Sequence, residues 1–314
     1  MIIRQQCRIY FACIDIIFLY NVPEKRRNGM KRCLTIQDYS CMGRCSLTVA
    51  LPILSCSGVE TIGLPTAVLS NHTAFSSWTY QDLSDKMLES VSKWKDYNHH
   101  FDCIYTGYLG NGQAEIVKTI FEELKEKDTM IVVDPAFGDN GRLYAGFDEK
   151  HVDEIRGLLK YADVICPNVT EACELLKIPY VGENVSELEA QRLTLALSQY
   201  GPRKIVVTGI FANDGNVGCA IFNRDNSKLT YYYTEPLPGR YHGAGDTFAS
   251  VMVGSLLNGL SLENAVRLAH DFVHRSMMEN IKNDIDGILY GLVYEGQLKT
   301  LYQNIVKMKR KQVE

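Results

Sequence analysis

The sequence predicts a three-layer α/β sandwich: a mostly parallel central sheet flanked by helices, with an antiparallel hairpin at one edge. Three observations carry this reading. From Lys31 onward, short apolar, β-branched runs alternate with longer amphipathic segments, the rhythm of strands and crossover helices. The runs 217–222 and 229–234 break that rhythm, because only a polar turn around Asp225 and Asn226 separates them, so they pair as a hairpin. No repeat or low-complexity linker divides the chain, and 46% hydrophobic composition over 314 residues supports one large core.

Taken in order, 33–36 reads as the first strand and 44–56 as a helix with Pro52 inside it, ended by Gly58. Strands 59–63 and 103–106 enclose an amphipathic helix at 82–97. Helix 113–127 leads into an apolar strand at 130–134 that ends on a carboxylate. Helix 150–161, strand 164–166, a helix opening at Asn168 or Thr170, helix 186–200 and strand 204–208 continue the pattern. After the hairpin, helices 245–258, 262–280 and 294–309 close the chain. Ligands bind beyond the carboxyl ends of strands in such sheets. That rule singles out Asp38, Thr106 to Tyr108, Asp134 to Asp139, Asn168 to Glu171, Thr208 and Gly209.

Composition narrows the partners. The net charge of −4 is spread as mixed signs, which excludes the basic footprint of a nucleic-acid binder. Ten cysteines are scattered singly, without the paired spacing of a structural zinc site, and fit reduced thiols in the cytoplasm. Residues 9–20 form a greasy run behind Arg4 and Arg8, superficially like a signal peptide. Asp15 interrupts it, no small-x-small cleavage site follows, and Lys25, Arg26 and Arg27 come after it. The run is also short of the roughly 20 residues a membrane span needs. Residues 1–29 are therefore expected to be an extension outside the fold, with one domain at 30–314 and no membrane partner.

The sharpest motif is Gly243-Ala244-Gly245-Asp246-Thr247-Phe248, set before an apolar helix. Glycines there let the backbone approach a ligand closely, while free N–H groups and the helix dipole face a phosphate. Taken alone, Asp246 is as well explained as a helix cap. The hexapeptide resembles the signature of the ribokinase-like kinases. Thr35-Ile36-Gln37, Ser70-Asn71-His72-Thr73, Thr106-Gly107-Tyr108, Asp134-Pro135-Ala136-Phe137-Gly138-Asp139 and Pro167-Asn168-Val169-Thr170-Glu171-Ala172 follow in the order expected of pyridoxal kinases. On these landmarks the chain resembles a bacterial-type pyridoxal or pyridoxamine kinase.

That resemblance implies ATP-dependent phosphorylation of a vitamin B6 hydroxymethyl group. Asp246 would be the general base, and the amides of Gly243, Ala244 and Gly245 the anion hole for the transferring phosphoryl group. Thr73 would hydrogen-bond the pyridine ring or its substituents and Tyr108 would wall it, with His72 a turn or supporting residue. Asp139 and Glu171 would lie near Mg²⁺, largely through water, and Asp134 near the phosphates and a monovalent cation such as K⁺. Asn168, Thr208 and Gly209 would complete the ATP side, and a homodimer is implied. Asp38 departs from the serine common in that family, and its carboxylate suits a protonated ring nitrogen or an amine. Residues 140–146, with Arg142 and Tyr144, have a composition that suits a flap over the phosphates and equally an ordinary surface loop. Two rivals remain: a hydroxymethylpyrimidine kinase with a related anion-hole motif, and a non-catalytic B6-phosphate binder.

Overall fold

The computed structural model of the chain describes residues 29–95, 99–182, 185–212 and 214–313. Residues 1–28, on which most of the expected extension falls, lie outside the described residues. Strands β1 (Arg32–Ser40), β2 (Glu60–Leu69), β3 (Tyr80–Asp82), β4 (Cys103–Thr106), β5 (Met130–Val133), β8 (Val164–Ile165), β9 (Lys204–Phe211), β10 (Val217–Asn223) and β11 (Lys228–Thr234) form one sheet. A small two-stranded sheet joins β6 (Gly138–Asp139) and β7 (Arg142–Leu143). The large sheet runs β11-β10-β9-β8-β5-β4-β1-β2-β3, parallel from β9 to β2 and antiparallel at both ends.

Helices α1 (Leu47–Cys56), α2 (Ser84–Lys95), α3 (Gln113–Leu124), α4 (Glu149–Arg156), α5 (Val169–Leu176) and α6 (Glu187–Ser198) alternate with the strands. α7 (Ala244–Leu257), α8 (Leu262–Lys282), α9 (Gly287–Tyr290) and α10 (Glu295–Val313) follow the last strand. Helices α2 to α6 cover one face, whose core includes Leu34, Ile36, Phe121, Val133, Ile165 and Val207. Helices α1, α7, α8 and α10 cover the other, around Cys33, Tyr105, Val132, Val206, Met252 and Phe272. Burial on both faces explains why β4, β5 and β8 read as continuous apolar runs rather than alternating ones.

Several boundaries differ from the sequence expectation for local reasons. β1 and β2 run to Ser40 and Leu69, past the polar Gln37 and past Pro65. The β1–β2 register shifts between Gln37 and Tyr39, opposite Pro65, and β3 pairs only with Ala67 to Leu69 beyond the proline. β3 carries no strand signal in the sequence, because it is three exposed polar and aromatic residues. Gly157 splits the expected helix 150–161 into α4 and a 3₁₀ turn at Leu159–Tyr161. β9 continues to Phe211 through Gly209, at φ +75°, beside a register shift in the pairing with β10. Helix α2 stops at Lys95, and residues 96–98 of the expected helix end lie outside the described residues. The segment expected to be a flap or a surface loop begins as a tight hairpin: Asn140 and Gly141 at φ +52° and +72° turn β6 into β7.

Candidate active site

The site lies at the carboxyl ends of the parallel strands, where four turns meet the start of α7. Gly243 precedes α7 at φ +71°, and a Cβ there would fall 2.0 Å from the Arg44 carbonyl oxygen, so only glycine fits. Thr247 ties the turn down, donating its N–H and Oγ1–H to the Gly243 carbonyl at 2.9 and 2.8 Å. The first-turn amides of a helix have no intrahelical acceptor and so can face an anion. Gly245 is exposed, with nothing within 4 Å of a Cβ position.

Asp246 follows in the first turn of α7, and its Oδ2 accepts the Ser46 N–H at 2.9 Å. Ser46 holds φ +49° just before α1, which aims that N–H across the cleft. Burial pushes the Asp246 carboxyl up to about 6; the Ser46 bond opposes this and Asp38 adds to it. A carboxyl that titrates near neutrality is ionised at pH 7 yet basic enough to take a proton.

On the β1 side, Asp38 is buried and its Oδ2 accepts the Ser40 Oγ–H at 2.8 Å. Burial raises its carboxyl above the ordinary range, against hydrogen bonds from Ser46 and Ser40. Cys45 is buried beside them, and burial, then Asp38 and Asp246, push its thiol well up, so it stays protonated. Tyr108 is half-buried, its ring 5.4 Å from Phe147, and burial followed by Tyr80 and Asp38 raises its hydroxyl. Gly107 makes room for Gln37, whose Cδ and Oε1 would lie 2.7 Å from a Cβ, so the first and third landmark motifs interlock. Thr73 is exposed on the turn after β2.

The opposite side is carboxylate-rich. Asp134 ends β5, and its carboxyl is pushed well above the usual range by burial, then by Glu171 and Asp246, against the Ala136 N–H. Ala136 holds φ +47° in this Asp-Pro turn. Glu171 is buried on α5, accepting the Phe137 N–H at Oε1 (3.0 Å) and the Asn168 N–H at Oε2 (2.9 Å). Asn168 returns the bond through its Oδ1 to the Glu171 N–H, completing a capping box, and donates Nδ2–H to the Gly138 carbonyl at 2.7 Å. Burial brings Glu171 up to about 7. Thr208 bridges to Asn168 and donates its N–H to the Pro167 carbonyl; Gly209 beyond it is exposed. Asp139 is exposed on the flap hairpin and accepts both the N–H and Nδ2–H of Asn140. Gly141 fastens that hairpin to α5 by donating to Thr170 Oγ1 at 2.9 Å.

Asp38 and Asp246 therefore sit within each other's field, as do Asp134, Glu171 and Asp246. Asp139 reaches Glu171 and the flap tyrosine Tyr144, whose hydroxyl is raised by burial and by Glu171, Asp139, Asp246 and Asp134 in turn. Thr208 joins this group through Asn168, with Gly209 next to it, whereas no hydrogen bond ties Thr73 to it among the described residues. Ser46, Ser40, Cys45 and Tyr80 were not singled out from the sequence. A serine before an apolar helix is a readable cap signal, but nothing in the sequence says that its backbone N–H reaches Asp246.

A family profile described as phosphomethylpyrimidine kinase matches residues 54–287. A crystal structure of a candidate phosphomethylpyrimidine kinase from Bacteroides thetaiotaomicron, in a form with pyridoxal, is 38% identical with a TM-score of 0.83. That match covers 87% of this chain and 96% of the other. Pyridoxal kinase from Lactobacillus plantarum is 30% identical, TM-score 0.79, over 87% and 97% of the two chains. The chain belongs to the pyridoxal kinase family of the ribokinase-like superfamily. A curated family member, the pyridoxal kinase of Pasteurella multocida, is 28% identical over 251 residues, 74% of this chain and 83% of its own. As a member, this chain is a kinase, and its sheet and flanking helices are those of the family's solved structures.

Proposed function

We propose that this kinase transfers the γ-phosphoryl group of ATP to the hydroxymethyl oxygen of a B6 vitamer, giving the 5′-phosphate. The observation that carries the reading is Asp246, a carboxylate titrating at about 6, at the start of a helix entered through Gly243 and close enough to Asp38 to feel it. Asp246 takes the hydroxyl proton as the oxygen attacks phosphorus, and the bond to the β-phosphate oxygen breaks to release ADP. The Gly243, Ala244 and Gly245 amides hold the equatorial oxygens during transfer. Asp38, Thr73 and Tyr108 form the ring side, with Asp38 paired to a ring N–H⁺ or an amine. The B6 identity of the acceptor is supported by the pyridoxal-bearing Bacteroides relative and by the pyridoxal kinases among the relatives.

Among the described residues, no Lys or Arg pairs with Asp134, Glu171 or Asp246. Crowded carboxylates without a cation fit a site whose positive charge arrives with the nucleotide. Among the described residues no cluster of three His, Cys, Asp or Glu could cage a metal. The donor set therefore suits Mg²⁺ carried on phosphate and water, with Asp139 and Asp134 as outer partners and K⁺ beside Asp134. Glu171, whose two oxygens each accept one backbone amide and keep a further lone pair, would stand near Mg²⁺ through water and hold the Phe137 turn. Mg²⁺ supplies charge neutralisation at the phosphates. Asn168, Thr208 and Gly209 form the nucleotide rim.

The second reading, a hydroxymethylpyrimidine acceptor, is favoured by the family profile itself. ATP turnover measured in parallel with pyridoxal, pyridoxamine, pyridoxine and hydroxymethylpyrimidine tests both. A kcat/KM highest for the pyrimidine would overturn the B6 reading, and no turnover with any acceptor would favour a binding protein. The fold at 30–314 is the catalytic unit in this reading. Among the described residues no helix is long and apolar enough to cross a membrane; the reading of a cytoplasmic enzyme is supported by the described cysteines, all free thiols. Exposed Tyr39, Met42, Val68, Trp78 and Tyr80, on or near β1 to β3, support a homodimer.

A further inference from the structure

His72 belongs to a landmark motif and lies on the turn after β2. It is 2% exposed. Its Nε2 lies 2.8 Å from the Leu289 carbonyl, which only accepts, so Nε2 carries the proton. Its Nδ1 accepts the Ala74 N–H at 3.2 Å, so His72 is held as the neutral Nε2–H tautomer. Burial lowers its pKa in the same sense. The ring fills the space above Gly43, where a Cβ would meet Cδ2 at 2.2 Å. Its other face stacks on His242, centroids 3.9 Å apart and planes 18° from parallel.

His242 directly precedes Gly243. Its N–H donates to the Gly287 carbonyl at 2.9 Å, so the short α9 segment takes one bond from each histidine. Burial, then His72, bring His242 down to about 4, so both stacked rings are neutral at pH 7. The turn after β1, the turn after β2, α9 and the glycine loop thus close around one imidazole. Anion-hole donors act only while aimed at the transition state, so whatever fixes the entry to Gly243 acts on rate more than on binding.

We propose that His72 is a positioning residue that, through its stack on His242, fixes the Gly243-Ala244-Gly245 amides relative to the substrate turn. The inference rests on the reading of that loop as the anion hole. The test is a double-mutant cycle in the full chain with His72→Gln, His242→Leu and the pair. His72→Gln keeps a donor toward Leu289, and His242 is only half-buried, so the variants are chosen to fold. Each single substitution is expected to lower kcat by about 10- to 100-fold, with both KM values within about threefold of wild type. The pair should be no worse than the weaker single within about threefold, because both act on one element. His242→Phe, which restores a stacked ring, should recover most of the rate. Losses that multiply in the pair, a Phe variant as slow as Leu, or altered melting with unchanged kcat per folded site would overturn the proposal. Asp246→Asn is run alongside. If it loses rate while the histidine variants do not, this inference alone fails; if none of the variants, Asp246→Asn included, changes kcat per folded site, the reading of the loop as catalytic fails and takes the inference with it.

Discussion

The Ser46 N–H donates to Asp246 Oδ2 at 2.9 Å, joining residues 200 positions apart. This bond orients the proposed base from outside its own helix and leaves Oδ1 for the acceptor hydroxyl. It also opposes the effect of burial, so Asp246 is both fixed and tuned by the turn before α1.

Asp246→Asn keeps an oxygen for the Ser46 N–H and should fold and bind ATP. Its kcat should fall by about 10²- to 10⁴-fold, the range for a positioned general base. Melting temperature, ATP affinity and kcat on one preparation check this. A stable, ATP-binding variant at wild-type rate would remove Asp246 from the mechanism.

The pH profile follows from the same group. With a folded pKa of about 6, kcat should fall as pH drops through about 6, tenfold per unit below it. Stability moves the other way. Because the folded pKa lies above the unfolded 3.8, the contribution is full below 3.8 and lost as pH rises through about 6. Asp246→Asn should therefore melt higher than wild type at pH 7, with the difference shrinking toward pH 4. Equal melting curves at both pH values would contradict the buried, raised carboxyl.

Glu171 and Asp139 should separate. Glu171→Gln puts an amide N–H₂ against one of two backbone N–H groups and should cost about 1–2 kcal/mol of stability, with a higher KM for ATP. Asp139→Asn, exposed on its hairpin, should leave melting unchanged and raise the Mg²⁺ concentration needed for half-maximal rate. An unchanged Mg²⁺ titration would remove Asp139 from the metal side.

Asp38→Ser should change the ranking of kcat/KM among the vitamers by about tenfold, the 1.4 kcal/mol of one altered charged hydrogen bond. Pyridoxamine should lose most if the carboxylate meets its amine. A ranking identical to wild type would move Asp38 out of the ring pocket.

A chain beginning at Met30 should retain both melting temperature and specific activity, because β1 begins at Arg32. A clear drop in either would make the first 29 residues part of the working enzyme.

The alternation of runs was enough to read the layers, the parallel centre and the β10–β11 hairpin, because strands buried on both faces must be apolar throughout. The β4 boundaries at Cys103 and Thr106 were legible for that reason. The second antiparallel edge was not, because Tyr80 to Asp82 are exposed and carry no periodicity. In the site, strand-end carboxylates announce themselves as residue types in an order. Their partners do not: the acceptor of the Ser46 N–H, the two amides on Glu171 and the His72–His242 stack are long-range or backbone relationships. Glu171 illustrates the gap. The sequence offers a carboxylate for a metal, and does not show that each of its oxygens also accepts a backbone N–H that ties the Asp-Pro turn to α5.

The order in which the chain is made adds one consequence. All the strands are complete by Thr234, whereas the glycine loop and Asp246 follow from residue 243. A chain made only as far as the last strand holds every strand of the large sheet, yet lacks the proposed base and the proposed phosphate cradle. On the proposed roles, products cut short between those points should be inactive toward ATP whatever their fold, which puts the chemistry among the last parts of the chain to be made.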